Sequence, residues 1–467
     1  MIRPLAKDKD EVREMKRLLA ALLCLMLFIP PAAAAGDETA YGIRDCHRQT
    51  LKEIQTKMRN GAVVSLWQID TVQDRVDAEL NAITRAWAEE IGPTLPAPGT
   101  SNSRVNCIIK PSRTGLTWMS FMLQARTIVN VKTCEVRFTT RTYDMETGER
   151  VLLTDIFPAD SEAWGLMAAA VEETVQAYWP GVAPDAEALA AATAREALEN
   201  ADFTLHGMSL VIHLPAERFY PGQPQLIEVT LYYPDIRPMM TERAQIETDN
   251  AAYYHFVALT FDDGPNGWCT DQTLLALMKA GERATFFLVG ERVLQQRYLV
   301  QREHDEGHRI ASHNWQHVYA NSTAISVLQT MPAKADAAHI AAIGLPVPFA
   351  RAPGGQWENM AAAQMGWPLI QWTVDAADWQ GEDGPDPRQT ASNIIFGTDD
   401  GGIILMHDLK RNSPRAVELI IAGLQEQGYM FLTVDELFVA GGVPLEPDTP
   451  YWRCTDGYTL KALPADQ

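Results

Sequence analysis

The sequence predicts an α/β protein. A parallel barrel or doubly wound sheet spans about residues 255–440, preceded by a smaller α+β unit over 41–240. Three observations carry this. From residue 255 onward short apolar runs alternate with helix-forming segments: "HFVALTF", "ATFFLVG", "RIASH", "FARAP", "IQWTV", "GIILMH" and "MFLTV". That is about seven β-α units in about 185 residues, the rhythm of a parallel sheet. Several runs are apolar throughout, as strands buried on both faces require. Ahead of them, "TCEVRFTTRTYD" (133–144) and "LIEVTLYY" (226–233) alternate like half-exposed strands, with an Ala-rich, helix-forming block at 161–200 between them.

Taken in order, the chain begins with a targeting pattern. "MKRLLAALLCLMLFIPPAAAAGDETA" has two basic residues, Lys16 and Arg17, then an apolar run, then small residues. This predicts a signal peptide over 1–35, starting at Met15 and cut near Ala33 to Ala35. The apolar run is too short to span a bilayer comfortably, and Leu23 precedes Cys24 where a lipoprotein anchor wants a small residue. The mature protein is therefore expected to be exported, periplasmic or extracellular, with no stable membrane span. Losing six basic and four acidic side chains takes the formal charge from −21 to about −23. Such a field repels phosphate backbones, which excludes nucleic acid as a partner class.

Five cysteines remain: Cys46, Cys107, Cys134, Cys269 and Cys454. None has C-x-x-C spacing, so disulfides are expected rather than a thiolate metal site. Cys107 with Cys134, and Cys269 with Cys454, are the pairings considered, leaving Cys46 odd. "MTERAQIETDN" is polar without apolar periodicity, which makes 241–254 the expected linker and 441–467 a C-terminal tail.

Polar residues at the ends of the apolar runs carry the functional signal, because chemistry in parallel α/β folds collects at strand C-termini. They are Asp262 and Asp263, His313 and His317, Arg351, Asp375 and Asp378 with Trp379, and His407. The imidazoles of "HNWQH" are spaced i, i+4 and share a face if the segment is helical, so both can grip one ion. The same spacing in "HDEGH" (His304, His308) is discounted because Gly307 interrupts it. Two histidines plus Asp262 or Asp263 make a three-ligand set with open positions, suited to zinc-activated water. The remaining aspartate is then free to act as general base. Arg351 is the cation that can hold it ionised. His407 is the candidate general acid, kept protonated by Asp378 and shielded by Trp379. Together these parts describe metal-assisted hydrolysis of an acyl bond.

"TFDDGP", "HNWQH", "RAPG", "DAADW" and "LMH" follow the order and approximate spacing of the five motifs of the polysaccharide deacetylase family, also called NodB-homology or carbohydrate esterase family 4. The chain resembles that family over about 255–440. The resemblance implies a distorted (β/α)7-type barrel that removes N-acetyl groups from amino sugars, with one divalent metal ion, zinc first and cobalt, manganese or nickel as alternatives. It implies Asp262 as base and Asp263, His313 and His317 as metal ligands. Arg351 would orient Asp262, and Asp378 would tune His407. Gly354, Trp379 and Leu405 fall in the substrate and oxyanion set, and Asp375 takes a structural role. One departure stands out: Gly354 occupies a position where the family usually carries an aromatic, so that wall of the groove is missing, with Trp357 as a substitute in reach. Segments 143–157 and 203–240 resemble a domain of unknown function found ahead of some exported deacetylases, and its His206 and His213 are expected to be strand residues without a ligand role. The expected substrate is a cell-wall glycan, peptidoglycan before chitin. An O-acetyl esterase on the same scaffold and a non-catalytic glycan-binding relative are the other readings.

Overall fold

A strand sends alternate side chains to opposite faces, and the run His255–Asp262 uses both. In the computed structural model, which describes residues 44–58, 61–96, 103–130 and 132–454, this run is the central strand of a parallel sheet. Val257, Leu259 and Phe261 pack outward with Phe286, Ile404 and Met406 against helical residues such as Leu274 and Ile420. Phe256 and Ala258 pack inward with Phe287, Ala311, Phe349 and Ile403. Thr260 and Asp262 continue the inward row by the same period of two.

Pairing runs from Arg309–Ser312 through Thr285–Leu288, His255–Asp262 and Gly402–His407 to Val374–Asp375, all parallel. Tyr429–Leu432 takes the first part of one edge of the central strand and Thr285–Leu288 the last part. Bridges from Ser312 to Ala350 and from Ala350 to Leu369 close the ring. The result is a distorted (β/α)7-type barrel.

Two expected strands are reduced to fragments. "FARAP" contributes a single bridged residue, Ala350, and Pro353 beyond it has no N–H to extend a ladder. "IQWTV" divides because it changes partner: Ile370 donates to Ala350 O, whereas Thr373 donates to Ile403 O. The described part of the tail joins the barrel as well. Pro450–Tyr451 pairs with Leu369–Ile370, and Cys454 N donates to Gly401 O at 3.0 Å.

Ahead of the barrel, a six-stranded sheet runs from Gln49–Lys57 to Glu149–Arg150 in chain order. Helix Asp74–Ile91 covers it through Val76 and Leu80, which meet Ile109, Phe121 and Leu123. Strands Phe203–Leu205, Ser209–Pro215 and Leu226–Tyr232 form a second, antiparallel sheet. The Ala-rich block is three helices, Ala163–Ala177, Ala186–Thr193 and Arg195–Glu199, and its apolar side buries Trp164, Met167 and Val171 in the core shared with that sheet.

The stretch expected as a linker is packed. Thr241 caps helix Glu242–Glu247, and the buried Glu247 carboxylate accepts from Leu116 N and Thr117 N at 2.7 and 2.9 Å. Asn250 accepts from Gly115 N and donates to Thr114 Oγ1 and Gly207 O. Its polar composition serves buried hydrogen bonds instead of solvent.

The cysteine pairings are corrected: among the described residues, Cys46, Cys107, Cys134 and Cys269 are free thiols, which leaves neither pairing standing. Strand Trp118–Val129 lies between the strands bearing Cys107 and Cys134. Cys269 sits on the helix that leaves the C-terminal end of the central strand, whereas Cys454 bonds beside the N-terminal end of Gly402–His407. The proposed signal peptide, 1–35, lies outside the described residues. Among the described residues, no helix is long and apolar enough to cross a membrane.

Candidate active site and metal centre

The inward rows of the strands end in polar residues. Asp262 follows Thr260, and His407 follows Leu405; Asp262 and His407 are direct cross-strand partners. Arg351 follows the inward-facing Phe349, and His313 follows Ala311. One period of two therefore aims four chemically active side chains at one mouth of the barrel.

Asp263, one residue beyond the inward row, reaches the same place by a backbone turn. Its φ is 74°, in the left-handed region that non-glycine residues rarely occupy. Asn314 (φ 69°) and Ala377 (φ 52°) share that conformation beside the site, a clustering expected where structure over-determines local strain. Arg292 Nη1 donates to Asp263 O at 2.5 Å and fastens the turn.

Asp263, His313 and His317 each present a ligand atom within 4.8 Å of the others. Asp263 Oδ1 is 3.5 Å from His313 Nε2 and 3.3 Å from His317 Nε2. Yet Asp263 Oδ1 is buried without a hydrogen-bond partner, a costly state for a carboxylate oxygen that nothing else occupies. His313 Nδ1 donates to Arg351 O at 3.0 Å, which fixes the tautomer and leaves the Nε2 lone pair facing Asp263. Burial lowers the His313 pKa to about 3, so the ring is neutral, as a ligand must be. An orphaned oxygen between two imidazoles fits a divalent cation.

The histidine pair converges without the expected helix. Residues 313–319 are irregular, with Asn314 left-handed, and the two rings stand 5.3 Å apart between centroids. Gly290 N and Glu291 N donate to Asn314 O and Trp315 O and hold this loop against the neighbouring helix.

Behind the triad, Arg351 is fully buried. Its Nη1 donates to Asp262 Oδ1 at 2.8 Å and to Thr260 Oγ1 at 2.7 Å, Nε to Ile370 O, and Nη2 to Gln371 O. The guanidinium lies 4.1 Å from the Phe287 ring centre. Burial pushes the Asp262 carboxyl above its ordinary range, and Arg351 pulls it back. On the other side, His407 Nδ1 lies 2.9 Å from Asp378 Oδ1, while Asp378 Oδ2 accepts from His407 N at 3.0 Å and Ser413 Oγ at 2.6 Å. Burial alone would lower the His407 pKa, but the bond to Asp378 overrides it and raises it to about 9.

The remaining predicted residues divide. Leu405 is buried inside the barrel below His407, and Gly354 is exposed with φ 63°. Trp379, directly after Asp378, is 51% exposed. Asp375 accepts from Ala377 N at 2.7 Å, which fits its structural role. Trp357 packs edge-on to Trp452 and in the core with Met360, so it supplies no groove wall in place of a side chain at 354. His304 and His308 serve neighbours instead of a metal: His304 Nδ1 pairs with Asp305, and His308 Nε2 with Lys110. His206 and His213 share the hydroxyl of Thr204. Thr260, Ser413 and Arg292 were not singled out from the sequence, where a mid-strand hydroxyl or a helical serine gives no signal.

Comparison with known proteins now bears on this geometry. The family model described as polysaccharide deacetylase matches residues 251–369. A peptidoglycan-N-acetylglucosamine deacetylase of Bacillus cereus is 31% identical over 189 residues, covering 39% of this chain and 87% of that protein. The chain belongs to the polysaccharide deacetylase family. This deacetylase is a hydrolase acting on amide bonds, and it carries the five motifs described above. The peptidoglycan-N-acetylglucosamine deacetylase PgdA of Listeria monocytogenes is 28% identical over 324 residues, 68% of this chain and 67% of that one. Among solved structures, a family 4 acetyl xylan esterase from Clostridium thermocellum in complex with a cobalt ion is 31% identical over 42% of this chain and 98% of its own, with a TM-score of 0.39.

Proposed function

We propose that this deacetylase is an exported, metal-dependent hydrolase that removes N-acetyl groups from the amino sugars of a cell-wall polysaccharide, peptidoglycan first. The observation that carries the reading is the division of the two adjacent acids. Asp263 faces two imidazoles, and Asp262 faces Arg351. One carboxylate is committed to a cation, and the other is free to move a proton.

Asp263, His313 and His317 would hold a divalent ion, for which zinc suits a two-imidazole, one-carboxylate set with open positions. When bound, the ion supplies a Lewis acid that polarises the acetyl carbonyl and acidifies water. Asp262 takes the proton of the attacking water through the oxygen not held by Arg351. His407, protonated and oriented by Asp378, gives a proton to the leaving amine nitrogen. The Gly354 N–H is available to the developing oxyanion, since a backbone donor needs no side chain. Leu405 forms an apolar floor beneath His407, which suits the methyl of an acetyl group.

Peptidoglycan is favoured over chitin by the signal peptide pattern and by the peptidoglycan deacetylases of Bacillus cereus and Listeria monocytogenes among its relatives. Acetate release from N-acetylated peptidoglycan and from chitooligosaccharides, side by side, tests this preference. Release from chitooligosaccharides alone would overturn the assignment to peptidoglycan.

A further inference from the structure

Large aromatic rings are expensive to leave in water, and one stands beside the metal triad. Tyr319 is 52% exposed, two residues after His317, and its ring packs edge-on against the His317 imidazole at 5.7 Å. The exposure does not come from a loose loop. Tyr319 O accepts from Ser322 N, Ser322 Oγ and Thr323 Oγ1 at 2.9 to 3.1 Å. The turn that follows is stitched to the segment after Gly354: Asn321 N donates to Gln356 Oε1, and Asn359 Nδ2 donates to Ala320 O.

The ring also occupies space that a side chain at 354 would need. A Cβ built on Gly354 would lie 2.7 Å from Tyr319 Cε1 and 3.0 Å from Cδ1, closer than carbon atoms approach. Gly354 has φ 63°, so its backbone already disfavours a side chain. The two positions are complementary, a bare backbone on one strand-end loop and a pinned ring from another. Across the site, Trp379 follows directly on Asp378, the partner of His407, and is equally exposed. One ring thus adjoins the metal side of the site and the other the acid side.

We propose that Tyr319 is a substrate-positioning residue, the aromatic wall on the metal side of the groove, packing against the apolar C–H face of an N-acetylhexosamine ring. The inference rests on the proposed glycan substrate. A flat apolar ring matches a pyranose face, and its attachment next to His317 sets the distance between the sugar and the metal ligands. Gly354 is bare because the ring needs its space.

Binding and turnover of chitotetraose by the full-length protein test this. Isothermal titration of chitotetraose into the chelator-treated protein reads the wall without any contribution from chemistry. Tyr319→Ala is expected to weaken binding about tenfold or more, raise KM similarly and leave kcat within about threefold. Tyr319→Phe is expected to restore both, because the ring and not the hydroxyl makes the contact. Gly354→Ala, which pushes on the ring, should weaken binding in the wild-type background and have no further effect on binding when combined with Tyr319→Ala. Unchanged chitotetraose affinity and KM in Tyr319→Ala would overturn the proposal. So would a loss confined to zinc affinity, measured by metal titration, since that would make Tyr319 a prop for His317. If wild type binds chitotetraose but releases no acetate from any substrate, the proposed function fails while the Tyr319 variants still decide the wall.

Discussion

Asp262 and Asp263 show how one dipeptide supplies two functions through different neighbours. Asp262 lies on the inward row and meets the buried Arg351, whereas the left-handed turn at Asp263 throws the next carboxylate toward the imidazoles. Asp262→Asn is expected to retain metal, measured by elemental analysis, while kcat falls by about 10²–10⁴-fold, the usual worth of a general base. His313→Ala should lose the metal itself; retained stoichiometric metal would contradict the ligand assignment. His407 makes a prediction in pH. Its pKa of about 9 keeps it protonated at neutral pH, so kcat should fall on the alkaline side through about pH 9. Asp378→Asn removes the charge that raises this pKa, and the alkaline limb should move to lower pH. The same pair contributes to stability with a definite sign. Because the folded pKa lies above the ordinary value of 6.5, the contribution is complete below about pH 6.5 and is lost as pH rises through about 9.

At the scale of elements, the central strand was readable because every position after His255 in "HFVALTF" is apolar or small and both faces are covered, and because its inward row ends in an acid. The strand-end rule then found Asp262, Asp263, His313, Arg351, Asp378 and His407 without knowledge of how the loops run. What it missed has a physical reason. The convergence of His313 and His317 depends on a left-handed Asn314, and i, i+4 spacing in sequence looks helical whether or not a helix forms. The fragments at 349–353 and 369–375 looked like strands because they carry strand composition, but the chain changes partner within them. Tyr319 passed unnoticed because an exposed tyrosine in a loop carries no periodicity. Contacts between elements also limit substitution. Gly207 lies in the turn between strands Phe203–Leu205 and Ser209–Pro215, and an added Cβ would meet Leu432 Cδ2 at 2.2 Å and Met430 Sδ at 2.9 Å. Gly207→Ala should therefore destabilise by about 1–3 kcal/mol or more through overpacking, read as a lower denaturant midpoint.

At the scale of the molecule, the sheets ahead of the barrel are joined to it by buried charge, so the two parts are expected to unfold together. Asp305 accepts from Arg126 at 2.7 Å and from Leu226 N at 3.0 Å, and all three lie on different elements. Arg113 pairs with Glu282 at 3.0 Å, and Ser209 Oγ donates to Glu436, whose charge is met within the barrel by Arg283. Lys110 donates to Glu306 O and sits 3.3 Å from His308 Nε2; burial lowers its pKa to about 7. Asp305→Ala leaves the buried Arg126 with Thr133 Oγ1 but no counter-charge and should cost about 3–5 kcal/mol, separating one calorimetric transition into two. A single transition with unchanged midpoint would contradict this coupling. Everything in the barrel mouth converges on one claim, that Asp263, His313 and His317 bind a metal on which deacetylation depends. The direct measurement is acetate released from N-acetylated peptidoglycan before and after treatment with a chelator, followed by addition of zinc. Release that stops with chelator and returns with zinc is the predicted result; release that continues unchanged in metal-free protein would contradict it.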